Sequence, residues 1–284
     1  MFRKKRNVIA LSLLLLITIA SLAASMWLPH SPDLINPNDR LLGPSSSYWF
    51  GTDDFGRDIF ARTITAAKVS LFVGATVAFI STVIGTIIGL ISGYYKRADF
   101  MIMRIIDGML AFPSLLLALA LVAALGGNII NIIIALTLAF SPVMARIVRS
   151  AVLQMNNVQF IDAAKTTGTR DVIILLRYIL PNIITPIIVQ GTFIFAKAIL
   201  AEAALSFLGV GIDPTVPTWG NMLQEAQIYI TMAPWFSIFP GIAIVLTVFL
   251  LNILGDGMRD AFNPHTKPKQ RRKSLIQKTK LAQS

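Results

Sequence analysis

Residues 69–94 read VSLFVGATVAFISTVIGTIIGLISGY, an apolar run without a single charged side chain. A membrane-spanning helix needs roughly 20 mostly apolar residues, so this run predicts such a helix. Five further runs of this kind lie on either side of it. The six predicted spans cover residues 8–28, 69–94, 101–125, 129–147, 183–210 and 234–254.

The composition also indicates a membrane protein. The chain is 55% apolar and 14% charged, with a mean hydropathy of +0.70, whereas a soluble domain is about a quarter charged. We therefore expect an all-α, polytopic membrane protein with six transmembrane helices. The first span follows a basic stretch, residues 3–6, and is longer than the apolar core of a signal peptide. We interpret it as an uncleaved anchor, since such cores have about 7–15 residues.

The positive charges lie mostly on one side of the predicted membrane. Most of the 25 lysines and arginines lie before span one, after span six, or directly after spans two and four. The positive-inside rule then places both termini and these turns in the cytoplasm. This asymmetry accounts for the net charge of +11 without nucleic acid. The basic tail has no interleaved aromatic residues, so an anchor near anionic lipid is favoured over RNA binding.

This topology divides the chain into four parts. Residues 1–28 form the N-terminal tail and first span, and residues 29–68 form an extracytoplasmic loop. Residues 69–262 form a core of five spans, within which residues 148–182 are a cytoplasmic loop. Residues 263–284 are the basic tail.

Several kinds of catalytic site are disfavoured by the residue types. The chain has no cysteine, which excludes disulfides and thiolate metal sites. It lacks the G-x-x-x-x-G-K-[ST] phosphate-binding motif, so we expect no ATP hydrolysis by this chain. Its two histidines, His30 and His265, lie outside the predicted spans. A histidine-based metal or hydrolytic centre is therefore unsupported, and a membrane enzyme is a poor interpretation.

The cytoplasmic loop 148–182 predicts two short helices joined by a glycine turn. Asn157 suits an N-cap, and Val158, Ile161 and Ala164 fall on one helical face. Gly168 stands where a helix end favours a left-handed residue.

The second helix of this loop then leads back to the membrane. Thr169 is expected to cap it, with Asp171 in its first turn, and Pro181 is expected to end or bend it. Such a projection suits force transmission from a soluble partner, although an ordinary amphipathic loop would show the same periodicity.

The spacing of this loop resembles the "EAA" loop of binding-protein-dependent ATP-binding cassette importers. Asp162-Ala163-Ala164, then Gly168, then Leu180-Pro181 match its pattern, with Asp162 in place of glutamate and Tyr178 in place of isoleucine. The resemblance implies that this loop supplies the coupling helix, which docks in a groove of the ATP-binding subunit.

Four further stretches resemble the second permease of dipeptide, oligopeptide and nickel importers. They carry G-T-D-x-x-G-R-D, R-x-x-D with L-A-F-P, P-x-x-A-R-x-V-R, and E-A-x-L-S-F-L-G with P-x-W-G, and cover residues 49–58, 104–113, 142–149 and 202–223. Five motifs in order at matching spacing make the family specific. The implied fold is a type I importer permease, with a five-helix core and an additional N-terminal helix.

These motifs also have local physical interpretations. Arg104 and Asp107 are three residues apart on one helical face and are expected to pair. Gly51, Asp53 and Gly56 predict a turn with a capping acid. Pro113 is expected to kink the third span.

Two charged residues fall inside the fifth predicted span. Lys197 and Glu202 are five apart, so a mutual salt bridge is not expected. Intramembrane charges usually face a partner or a wet cavity, so both are candidates for the pathway or a gate, with a structural role as the alternative. Trp219, in the glycine- and proline-rich loop that follows, is a third candidate. The resemblance and topology place that loop, with Gly209 and Gly211, in a compact turn near the outer mouth.

The resemblance implies an assembly and a location. Its partners would be a homologous second permease, two ATP-binding subunits that use ATP and Mg, and an extracytoplasmic solute-binding protein. This chain would bind no cofactor, metal or nucleic acid and would lie in the lipid bilayer of the bacterial inner membrane. Short peptides are the expected substrate, with nickel or a metal chelate as the alternative. A channel or ion-driven carrier would not need the coupling motif.

Overall fold

The computed structural model describes residues 5–262, so the predicted basic tail and most of the basic N-terminal stretch lie outside the described residues. The described part is almost entirely helical. Its longer helices are α1 (Lys5–Leu22), α2 (Ile59–Tyr94), α3 (Lys96–Leu110), α4 (Ser114–Leu125), α5 (Ile129–Met155), α6 (Gln159–Thr166), α7 (Ile184–Phe207), α8 (Trp219–Ala226) and α9 (Trp235–Phe262). Short helical turns occupy Ala24–Trp27, Pro37–Asp39, Asp171–Ile173 and Gln227–Tyr229.

In residues 5–262, five continuous segments are long and apolar enough to cross a membrane, and a bent helix pair makes six if it counts as one span. The bent pair replaces the single helix predicted for residues 101–125. Its members, α3 and α4, meet at 87° around Pro113. Proline cannot donate the next helical hydrogen bond, and it disfavours helical backbone in the residue before it, which explains the break.

Helix α2 begins at Ile59, which is earlier than the residue 69 predicted from hydropathy. Asp58 caps it, since its carboxylate accepts from the backbone nitrogens of Phe60 and Ala61. At 1.5 Å per residue the helix is about 54 Å long, so it extends well beyond a hydrocarbon core of about 30 Å. Residues 59–68 are therefore part of a rigid helix and not of the outer loop.

The tightest helix packing lies between α2 and α5. Three glycines at four-residue spacing, Gly85, Gly89 and Gly93, form the contact surface on α2. A Cβ atom built on Gly89 would lie 2.5 Å from the Cβ of Val148, and one on Gly93 would lie 2.6 Å from the Cβ of Val152. Small residues at this spacing let two backbones approach closely, which is how helices associate in lipid.

Two groups of buried side chains hold the bundle together. One joins α2, α4, α5 and α7 with the cytoplasmic loop, and the other joins α1, α2, α7, α8 and α9. Helix α1 buries only Asn7, Ala10, Leu14 and Ser21. It is therefore peripheral to the five-helix core, as the resemblance implies.

Helix α3 is amphipathic and is held by ion pairs. Arg149 binds Asp99 through both Nε and Nη2, at 2.5 and 2.7 Å. Asp107 accepts from Arg146 at 2.5 Å, and Arg104 lies over the ring of Phe100 at 4.9 Å. The expected Arg104–Asp107 pair is therefore wrong, because α5 offers Asp107 a different arginine.

Candidate coupling loop and transport pathway

The predicted coupling helix forms as α6, but its start differs from the prediction. Val158 is its N-terminal flanking residue, in extended conformation and without a side-chain cap. The expected Asn157 cap is therefore wrong. The neighbouring Asn156 side chain instead donates to the carbonyl of Gly93 at 2.9 Å, which ties the loop to the end of α2.

The motif residues divide between two faces of α6. Ile161 and Ala164 are buried against the bundle, whereas Asp162 and Ala163 are exposed. Ala164 is thus the small residue that lets α6 lie against its own subunit. Asp162 and Ala163 lie on the exposed face of α6.

A glycine turn ends α6. Gly168 has a φ of +76°, the left-handed conformation that the sequence predicts. The nitrogen of Thr169 donates to the carbonyl of Ala164 at 3.1 Å, which completes a Schellman-type helix end. The prediction that Thr169 caps the next helix is therefore wrong, because Arg170 occupies that position.

Asp171 lies in the first turn of the next helix, as predicted. The hydroxyl of Tyr94 donates to its carboxylate at 2.8 Å, and the Lys165 ammonium lies 5.5 Å from the centre of the Tyr94 ring. Tyr94 was not found by sequence reasoning. These contacts join both sides of the glycine turn to the end of α2.

The segment between this turn and α7 changes its helical geometry twice. Ile174–Ile179 is a π-helix and Leu180–Ile183 is a 3₁₀-helix. Leu180 is half-buried and Pro181 is exposed. Pro181 lacks an N–H, which explains why a regular α-helix does not continue through it. Leu180 and Pro181 therefore form the joint between the coupling loop and α7.

Glu202 lies at the centre of a buried polar network between the first part of α2 and the last part of α7. It is fully buried. One carboxylate oxygen accepts from the Ser70 hydroxyl at 3.1 Å, and the other accepts from the Ser206 hydroxyl at 3.0 Å. The Ser206 hydroxyl in turn accepts from the nitrogen of Ile212 at 3.4 Å. Glu202 thus connects α2, α7 and the loop after α7.

Trp219 is also buried, at the start of α8. Its indole nitrogen donates to the carbonyl of Thr63 at 3.0 Å. The next residue, Gly220, lies directly against Ala203 and Ser206, where a Cβ atom would lie 2.6 Å from the Ala203 carbonyl oxygen. Glu202 and Trp219 therefore hold α8 against α2 and α7. Their role in a gate stays a prediction.

The loop near these residues forms a compact outer turn. Gly209 has a φ of +78°, and Asn221 donates to the carbonyls of Ile212, Asp213 and Val216. A cavity of about 380 Å³ lies between this loop and the end of α4. Hydrogen bonds from the nitrogen and hydroxyl of Thr215 lower the pKa of Asp213 at its rim.

Lys197 occupies a different environment from Glu202. It is exposed on α7. In residues 5–262 no ion pair joins the two, as their five-residue spacing predicts. An exposed lysine near the centre of a spanning helix is unfavourable in lipid by about 2.5–3.5 kcal/mol on insertion scales.

A profile of the family described as "Binding-protein-dependent transport system inner membrane component" matches residues 81–268. The chain belongs to this family. The match includes the coupling loop, α7 and α8. This chain is therefore a multi-pass membrane protein, and it is a transport subunit rather than an enzyme.

Full-length relatives support the same family. The dipeptide transport system permease protein DppC of Alkalihalophilus pseudofirmus is 46% identical over 267 residues, which cover 93% of this chain and 88% of that protein. A putative peptide transport system permease protein of Brucella suis is 42% identical over 94% of this chain and 90% of that protein. The glutathione transport system permease protein GsiD of Escherichia coli is 42% identical over 94% and 89%, respectively.

The loop before α2, the start of α2 and the end of α8 share an ion-pair network that sequence reasoning did not find. Asp53 is fully buried and accepts from the backbone nitrogens of Phe55 and Arg57, as the predicted turn requires. Arg62 is 2% exposed and donates to Asp53 at 2.6 Å and to Glu225 at 2.7 Å. It therefore joins α2 to the end of α8.

Carboxylate oxygens of Asp53, Asp54 and Glu225 lie within 4.8 Å of one another, which raises the question of a metal ion. Arg57 and Arg62 already supply positive charge to Asp53 and Glu225. Burial, and next the neighbouring charge of Asp53, raises the pKa of Asp54, which favours its neutral form. The donor set fits an ion-pair network better than a metal centre.

The Glu202 network can be tested with two substitutions. In Glu202→Gln the amide keeps one acceptor and adds a donor, and the serine hydroxyls can rotate to meet both, so we expect near-normal assembly. Glu202→Leu leaves the hydroxyls of Ser70 and Ser206 without this acceptor, at roughly 1–3 kcal/mol each. Thermal melting and yield of the purified complex measure the difference. A Glu202→Leu protein as stable as wild type would contradict a positioning role, and lost transport by stable Glu202→Gln would favour a pathway role.

Proposed function

We propose that this chain is one permease subunit of an ATP-binding cassette importer and forms half of a pathway for short peptides. The observation that carries this proposal is the coupling loop. Its exposed acid, buried alanine, left-handed glycine and Leu-Pro joint form one rigid unit between the cytoplasm and α7. The named relatives support short peptides as the substrate, since their names refer to the transport of peptides, dipeptides and glutathione, which is itself a tripeptide. None of these three names refers to nickel or to a metal chelate.

The proposed assembly contains a homologous second permease, two ATP-binding subunits and an extracytoplasmic binding protein. ATP and Mg would be used by the ATP-binding subunits, and this chain would hold no cofactor. Both termini would lie in the cytoplasm of a bacterium, with the chain in its inner membrane. The distribution of lysine and arginine supports this orientation, because the coupling loop and the α2–α3 turn are both rich in them.

The geometry suggests how the loop acts in alternating access. The exposed face of α6, with Asp162 and Ala163, would contact an ATP-binding subunit. Movement of that subunit would carry α6 and its glycine turn as one body and would reach α7 through Leu180 and Pro181. ATP shifts such an equilibrium only by binding one state better than the other. Glu202 and Trp219 would then make α8 follow the outer end of α7.

Co-purification and uptake together test this function. The chain is expressed with its neighbouring genes, solubilised gently and analysed for co-purifying subunits, and the complex is then reconstituted with its binding protein. We expect an ATP-binding subunit and a second permease to co-purify, and labelled di- and tripeptides to accumulate only with ATP. Accumulation of nickel or a metal chelate in place of peptide would overturn the proposal that peptides are the substrate. Recovery of the chain alone, with ATP-independent flux, would favour a channel or carrier.

Gly168→Val tests the coupling turn. Gly168 has open space around it, so the strain comes from its φ of +76° and not from a clash. A β-branched residue tolerates this conformation poorly, by roughly 1–2 kcal/mol. We expect an assembled complex whose ATP hydrolysis persists while peptide uptake falls several-fold. Gly168→Asn is the matched control, because asparagine adopts left-handed backbone more readily. Normal uptake by well-assembled Gly168→Val protein would contradict the assignment.

A further inference from the structure

One face of α7 is only partly covered by other helices within the described residues, although Phe193 on this face lies against Gly255 of α9. Its members are exposed or half-buried: Pro186, Val189, Gln190, Phe193, Lys197, Leu200 and Phe207. Much of the rest of α7 is buried, although Ile184 and Ile188 near its start are exposed. Ile199 and Gly191 face α2, where they lie near Gly74 and Thr82.

This open face of α7 lies between α5 and α9. At its cytoplasmic end a cavity of about 490 Å³ is lined by Ile147 of α5, by several α7 residues including Gln190 and Phe193, and by Arg259 of α9. Lys197 lies one helical turn beyond Phe193 on the same face. The open face is therefore a groove that carries an amide in its cytoplasmic half and a cation near its centre.

Lys197 is too deep for its ammonium to reach water along the helix. At 1.5 Å per residue it lies about 20 Å from the start of α7 and about 15 Å from its end. A lysine side chain extends its charge by only a few ångströms toward a membrane surface. Lys197 must therefore face a wet cavity or an anionic partner.

This chain offers Lys197 no anion on its own helix. Glu202 is the only acidic residue of α7, and its two oxygens accept from Ser70 and Ser206 on another face. In residues 5–262 no carboxylate lies within salt-bridge distance of Lys197. The anion that complements Lys197 must come from another molecule.

We propose that Lys197 is a subsite for the C-terminal carboxylate of the transported peptide, and this rests on the proposed function. The C-terminal carboxylate is the one negatively charged group that unmodified peptides share whatever their side chains. Lys197 is the only charged residue that α7 itself places on this face, with Arg259 of α9 at the cytoplasmic end, so it can recognise peptides without reading their sequence. Gln190, two turns toward the cytoplasm, supplies a neutral donor and acceptor along the same route.

The test uses the reconstituted complex with its binding protein. Uptake is measured for a tripeptide with a free C-terminal carboxylate and for its C-terminal amide, each at a concentration that saturates the binding protein. The variants are Lys197→Met, which keeps the length of the side chain, and Lys197→Arg, which keeps the charge. Leu200→Met, on the same face, is the matched control.

We expect Lys197→Met to lower uptake of the free peptide at least tenfold and to leave uptake of the amide unchanged, with normal recovery of the second permease. Lys197→Arg should restore most of the uptake. An equal loss for both peptides, or unchanged uptake of both, would overturn the subsite. Loss of the second permease from Lys197→Met complexes would also overturn it and would assign Lys197 to a subunit contact. Failure of the wild-type complex to import any peptide would instead overturn the proposed function.

Discussion

Gly89→Leu is expected to abolish recovery of the folded subunit. The Cβ alone would lie 2.5 Å from the Cβ of Val148 and 2.7 Å from the carbonyl oxygen of Ala145. Neither atom can move without its backbone, so α2 and α5 must separate along their whole contact. Overpacking typically costs about 1–3 kcal/mol, and the rigid neighbours here place this change at or above the upper limit. Fluorescence-detected size-exclusion chromatography and thermal melting of the solubilised subunit measure the loss.

Gly241→Leu is the matched control for this substitution. Gly241 lies within the spanning helix α9, and no atom lies within 4 Å of the position of its Cβ. Both substitutions replace glycine by leucine within a spanning helix, so the change in hydrophobicity and helix propensity is the same. Only Gly89→Leu disturbs a close backbone contact. We expect the yield and melting temperature of Gly241→Leu to stay near wild type. If the two variants behave alike, close α2–α5 contact does not determine the stability of this fold.

The membrane spans could be predicted from sequence because hydropathy is a local property. Residues 129–147 lie inside α5, and residues 235–254 of the predicted span 234–254 lie inside α9. The prediction was wrong for residues 101–125, since an average over the window conceals the change from amphipathic α3 to apolar α4 at Pro113. Residues 59–68 were assigned to a loop because Arg62 and Lys68 lower the local hydropathy.

The coupling loop was predictable to the extent that its signals are local. Gly168 marks a left-handed turn by its identity, and the buried pair Ile161 and Ala164 follows from helical spacing. The cap at Asn157 was predicted wrongly because the chain leaves α5 with an extended Val158. The contact of Tyr94 with Asp171 joins residues far apart in sequence, and no pattern within either segment indicates it.

Sequence reasoning missed the three glycines on α2 and the ion pairs of Arg62 for two different reasons. Gly85, Gly89 and Gly93 display their four-residue spacing in the sequence, so that signal was available. Arg62 and Glu225 have no such signal, because their pairing depends on how α8 packs against α2. A charge that stands next to a predicted span, such as Arg62, indicates only that some partner must exist.

Arg62→Met is expected to destabilise the outer half of the bundle strongly. The substitution keeps the length of the apolar stem but removes the cation between Asp53 and Glu225. Asp53 is fully buried, so its carboxylate keeps only Arg57 as a charged partner. Breaking a buried ion pair from one side typically costs about 3–5 kcal/mol, and here Arg57 alone is left to compensate the charges of Asp53 and Glu225. Melting of the purified subunit should show this as a large decrease in midpoint temperature.

Arg146→Met provides the comparison that isolates burial. Arg146 also forms an arginine–aspartate pair, but its side chain is 54% exposed and that of Asp107 is 62% exposed. Exposed pairs contribute about 0–1 kcal/mol, so this variant should melt close to wild type. A second comparison, Arg62→Met combined with Glu225→Gln, should recover part of the lost stability, since it removes one of the two carboxylates that would then share Arg57 as their cation. Equal melting of Arg62→Met and Arg146→Met would show that the outer network does not hold α8 against α2.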